Sequence, residues 1–71
     1  MGIKSLTLGI NGKKYKFQPP LNILELITYL GFNINVIVID YNTTILPKEE
    51  WAYTNLRHED KIEIVTIAGG G

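Results

Sequence analysis

The sequence predicts an α+β domain in which one helix packs on one face of a mixed sheet. Three observations predict it. Two alternating apolar runs flank Asn11-Gly12, an apolar pattern of helical period starts behind Asn22, and two β-branched runs, at 36–39 and 62–67, follow the helix. The chain has 71 residues, 45% of them hydrophobic and 20% charged, which is a globular composition. A chain this short forms one domain with a modest core and no deep cleft.

Leu6, Leu8 and Ile10 alternate with Ser5, Thr7 and Gly9, and after Asn11-Gly12 the residues Tyr15 and Phe17 alternate with Lys14 and Lys16. An Asn-Gly pair between two such runs predicts a β-hairpin. Pro19-Pro20 ends the second strand, because proline has no N–H for the ladder. Asn22 is then a suitable N-cap, Glu25 completes a capping box at the third helical position, and Leu21 is placed to staple onto Leu26. Ile23, Leu26, Ile27 and Leu30 form the apolar face, and Gly31 suits the left-handed position that ends a helix. The run Val36-Ile37-Val38-Ile39 reads as a covered strand and Asn42-Thr43-Thr44 as a turn. Ile45-Leu46 reads as a short strand, Lys48-Glu49-Glu50-Trp51 as a single helical turn, and His58-Glu59-Asp60-Lys61 as the polar turn before the last strand, 62–67. Trp51 and Tyr53 are expected in a satellite of the core. Hairpin, helix, strand, short strand and final strand make the order of the β-grasp, or ubiquitin-like, fold, with four to five strands in the sheet. The domain is expected to span 1–67, with 68–71 as a flexible C-terminal glycine tail.

Several function classes are disfavoured. Seven basic and seven acidic residues give a formal net charge of zero, which argues against nucleic acid as the main partner. Lys4, Lys13, Lys14 and Lys16 cluster early in the chain, but they read as solvated residues around a hairpin. No stretch approaches a membrane span, the start lacks a long apolar run of signal-peptide type, and a cytoplasmic protein is expected. With no cysteine there is neither a disulfide nor a thiolate site. His58 is the sole histidine and reads as a solvated turn residue. A Ser5–His58–carboxylate triad lacks its elbow motif, and Glu49-Glu50 and Glu59-Asp60 read as solvated faces rather than as a metal site. No catalytic residue, metal site or bound cofactor is therefore expected, and the chain reads as a substrate or carrier rather than an enzyme.

The remaining chemical group is the C-terminal carboxylate. Ala68-Gly69-Gly70-Gly71 follows the last strand directly, and three residues without a β-carbon make a tether of roughly 10 Å that can thread a narrow cleft. A carboxylate is a poor electrophile and must be activated, typically as an acyl-adenylate, by a partner holding ATP. Docking to such a partner calls for a surface beside the tail. Alternation along the last strand puts Ile62 and Ile64 in the core, leaving Glu63, Val65 and Ile67 on the other face, with Val65 and Ile67 as the candidate docking patch.

The Pro47…Trp51 segment, the Ile62-Glu63-Ile64-Val65-Thr66-Ile67 strand and terminal Gly70-Gly71, on this hairpin–helix order, resemble the ThiS-type sulfur carriers along essentially the whole chain. The resemblance implies that Gly71 is adenylated by a ubiquitin-activating-enzyme-like adenylyltransferase using ATP and Mg, the tail Gly69, Gly70 and Gly71 threading its active site. The adenylate would become a thiocarboxylate with sulfur from a donor protein, and thiazole synthase would take that sulfur for thiamine biosynthesis. A molybdopterin-synthase small subunit, a ubiquitin-like modifier and a non-covalent β-grasp binding module are the alternatives. The Ile- and Asn-rich usage adds the plastid stroma as an alternative location.

Overall fold

The structure is a computed structural model that describes residues 5–67. Strands β1 (Leu6–Ile10) and β2 (Lys13–Phe17) form the hairpin, and helix α1 spans Ile23–Leu30. Strands β3 (Ile37–Tyr41) and β4 (Thr44–Leu46), a 3-10 helix at Lys48–Tyr53 and β5 (Lys61–Thr66) complete the order. The five strands lie in the sheet as β2-β1-β5-β3-β4. β1 and β5 run parallel and all other neighbours antiparallel, so the strand made last lies at the centre.

Local chemistry explains the boundaries. Asn11 and Gly12 have φ of 50° and 85°, the left-handed pair that a two-residue hairpin turn requires. The capping box forms reciprocally: Glu25 N–H donates to Asn22 Oδ1 at 2.7 Å, and Asn22 N–H donates to Glu25 Oε1 at 3.0 Å. At the other end Gly31, with φ 85°, donates to Thr28 O and Phe32 donates to Ile27 O, the Schellman arrangement that satisfies the last carbonyls. Ile23, Leu26 and Ile27 of α1 are buried against Leu8, Ile10, Ile37, Ile39, Ile62 and Ile64 of the sheet. The segment after the 3-10 helix closes the layer, with Ile23 N–H donating to Thr54 O and Leu56 N–H to Leu21 O.

Some expected boundaries move. The third strand begins at Ile37 and runs on through Asp40 and Tyr41, because the ladder to β5 continues there as Asp40 opposite Glu63 and Tyr41 opposite Ile62. Its turn is two residues, Asn42 and Thr43 (φ 50° and 72°), and Thr44 already pairs with Tyr41. The helical turn after Pro47 extends to Tyr53, and β5 is Lys61–Thr66, one residue earlier than expected at each end. Trp51 is 2% exposed and donates Nε1–H to Leu46 O at 3.0 Å, whereas Tyr53 is 83% exposed and no part of the core. Among the described residues no helix is long and apolar enough to cross a membrane.

In urea unfolding, Leu8→Ala should lose about 2–5 kcal/mol, since it opens a cavity at a fully buried position. Tyr53→Ala should change stability by less than about 0.5 kcal/mol. A larger loss at Tyr53 would contradict its exposed placement.

Candidate functional site

The helix covers one face of the sheet, and the other carries the candidate site. Directly paired residues on neighbouring strands share a face, so the uncovered face can be read from the register. Gly9 pairs with Lys14 and Lys61, Thr7 with Lys16, Asp40 with Glu63 and Ile45, and Val38 with Val65. The next pair brings Ile67 beside Val36, where Ile67 N–H donates to Val36 O at 2.6 Å. The sequence places Val65 and Ile67 away from the core, and they are 54% and 51% exposed. Val36 and Val38 beside them are half-buried and Ile45 is 61% exposed, which widens the apolar area beyond the two expected residues. Val36, Val38 and Ile45 were not singled out from sequence. Their shared face becomes visible only once β3 is known to pair with β5 on one side and β4 on the other.

The exit of β5 is held from both sides. Beyond its register with β1, Asn11 takes over: its N–H donates to Ile62 O at 3.0 Å, and its Oδ1 accepts from Ile64 N–H at 2.7 Å. A residue chosen for its turn conformation thus also continues the parallel ladder. Gly69, Gly70 and Gly71, expected to thread a partner, lie outside the described residues. The strand that leads toward them is nevertheless fixed as far as Ile67.

The entry of β5 is organised by Asp60, 8% exposed. Its Oδ2 accepts from Tyr41 Oη–H at 2.6 Å and Arg57 N–H at 2.7 Å, and its Oδ1 accepts from Asn42 Nδ2 at 3.1 Å. Asn42 Oδ1 in turn accepts from Lys61 N–H at 2.7 Å. The sequence places Asp60 in a polar turn, and its capture by Tyr41 depends on a contact across 19 residues. His58 is more than a solvated turn residue, because its Nδ1 accepts from Thr7 N–H at 3.1 Å. Its Nε2 lies 3.7 Å from Glu59 Oε2. Among the described residues no three His, Cys, Asp or Glu side chains group as metal ligands. Asp40 Oδ1 is buried without a partner and faces the carboxylate-bearing Glu63 position across the strands.

A five-stranded mixed sheet gripping one helix is the ubiquitin-like β-grasp, here with an uncovered face beside β5. The ThiS family model matches residues 8–71. The chain belongs to the ThiS family. It is 40% identical over 68 residues to the ycf40 protein of Porphyra purpurea, covering 96% of each chain, and 42% identical over 65 residues to that of Trieres chinensis, covering 92% of this chain and 89% of the relative. A thiazole synthase of Paramagnetospirillum magneticum is 32% identical over 66 residues, which are 93% of this chain but 20% of that protein. The crystal structure of a thiamine biosynthesis protein (ThiS) from Geobacter metallireducens superposes with a TM-score of 0.81 at 26% identity, covering 93% of this chain and all of that one.

Burial, followed by the hydrogen bond to Asp60 and its charge, pushes the Tyr41 hydroxyl up from 10.0 to about 12. The folded chain therefore keeps a proton that the unfolded chain releases, and the stability from this group is intact below pH 10, then lost as pH rises toward about 12. The midpoint of thermal unfolding of the native chain should fall more steeply across this window than that of Tyr41→Phe. Parallel curves for the two proteins would show that Tyr41 is not linked to folding.

Proposed function

We propose that this chain is a sulfur carrier of thiamine biosynthesis whose Gly71 carboxylate is the carrying group. Membership of the ThiS family, by a match that runs through residue 71, is the observation that carries this reading. The thiazole synthase relative, which holds a segment like this chain within one polypeptide, supports thiazole synthase as the acceptor and favours thiamine over molybdopterin chemistry. The Geobacter protein, described as a thiamine biosynthesis protein, supports the same assignment.

In this reading a ubiquitin-activating-enzyme-like adenylyltransferase supplies ATP and Mg. A Gly71 carboxylate oxygen attacks the α-phosphorus, and pyrophosphate leaves. Sulfur at the sulfide level, delivered by a donor protein, then attacks the acyl carbon and displaces AMP, which leaves a thiocarboxylate. The chain itself supplies no acid, base or metal in these steps. Its contribution is a rigid domain that raises the local concentration of the tail at the partner's site. Docking is assigned to the apolar area around Val65 and Ile67, whose burial would release water from exposed apolar surface.

Intact-mass analysis after incubation with ATP, a sulfur donor and the adenylyltransferase should show the gain expected for exchange of one oxygen for sulfur, and none in a chain lacking Gly71. An unchanged mass, or an isopeptide-linked product, would refute the carrier reading. Val65→Asp and Ile67→Asp should each cut activation at subsaturating carrier by roughly tenfold or more. Their unfolding should change by less than about 0.5 kcal/mol, as expected for exposed sites. Full activation of both variants would remove the docking patch from the account.

A further inference from the structure

Gly9 is a residue the fold does not need. It lies in β1, between β2 and β5, where a glycine weakens a strand unless another group approaches closely. Its φ is not in the left-handed region, and an added β-carbon would come no nearer than 3.9 Å to Asp60 O and Lys61 Cγ. Neither backbone conformation nor packing excludes a β-carbon there.

What the glycine does produce is a hollow on the uncovered face. Two shallow depressions of about 310 and 300 Å³ share Gly9, Lys14 and Lys61 as lining, one also bounded by Thr7 and Glu59, the other by Lys13 and Glu63. Lys13, Lys14 and Lys61 make no side-chain ion pair among the described residues. Each depression has one carboxylate in its lining, Glu59 in the first and Glu63 in the second, against two and three lysines, so both linings are net positive. The hollow therefore offers aliphatic lysine stems and unpaired ammonium groups around a floor without a side chain. It lies on the same face of β5 as Val65 and Ile67, and Lys61 to Ile67 spans about 20 Å, within the width of an ordinary protein interface.

We propose that the Gly9 hollow seats a carboxylate side chain of the activating partner, its methylene stem over Gly9 and its charge between Lys14 and Lys61. This rests on the carrier reading above and adds the chemistry of the partner's surface: an apolar area for Val65 and Ile67, with an acidic projection beside it. The apolar part drives association, and the lysine–carboxylate pairs set orientation and speed encounter.

The test measures binding of the full chain to the adenylyltransferase of the same organism at low and high salt, together with melting temperature and ATP–pyrophosphate exchange. Gly9→Val, which fills the hollow with a residue suited to strands, should raise Kd at least about tenfold without lowering the melting temperature. Lys14→Glu and Lys61→Glu should weaken binding to a similar degree and flatten its salt dependence, with kcat at saturating carrier unchanged. Gly9→Val binding within about twofold of the native chain, or lysine variants that keep the native salt dependence, would overturn the proposal. A native chain that binds without exchange would refute the carrier reading while leaving the variants decisive for the hollow. A native chain that does not bind would overturn both.

Discussion

The fold depends on seating its last strand in the middle of its sheet. β5 is flanked by β1 in parallel and β3 in antiparallel, so neither half of the sheet meets the other until the C-terminal segment is in place. Two polar side chains serve that seating. Asn11 extends the β1 ladder to Ile64 after the strand itself has turned away, and Asp60 gathers Tyr41, Asn42 and the Arg57 backbone at the point where β5 begins. Because the chain leaves from a central strand rather than a loose edge, its path is fixed up to Ile67.

This arrangement divides the molecule by face. On the covered side, Leu8, Ile10, Ile39, Ile62 and Ile64 meet α1 and supply the apolar burial that stabilises a domain of this size. On the other side β3, β4 and β5 display Val38, Ile45 and Val65, with Ile67 at the exit of β5, and lysines lie around Gly9 near its entry. A small domain that spends its whole core on one face has the second face free for recognition. In the proposed carrier reading, recognition is the contribution that the folded part makes.

Much of this was legible because the local signals agree with one another. Asn11-Gly12, the Asn22–Glu25 box and Gly31 each satisfy a backbone need within a few residues, so the hairpin and helix follow from sequence alone. Alternation in β5 likewise separates Ile62 and Ile64 from Val65 and Ile67. What sequence misses is set by distant contacts or by unfavourable local choices. Thr43 occupies a left-handed position that a β-branched residue seldom takes, which hides the two-residue turn and the full length of β3 and β4. Tyr53 resembles Trp51 in composition, yet the 3-10 turn buries one and exposes the other. The company that Lys61 keeps with Gly9 and Lys14 exists only through the parallel β1–β5 pairing, and no spacing along the chain announces it.

The claim that one face of the sheet presents the tail to its partner is tested most directly by backbone amide NMR of the labelled chain titrated with the adenylyltransferase. Shifts and broadening should concentrate at Thr7, Gly9, Val38, Ile45, Val65 and Ile67, leaving Thr28 and Tyr29 on the outer side of α1 unaffected. Perturbation centred on α1, with the uncovered face silent, would contradict the account.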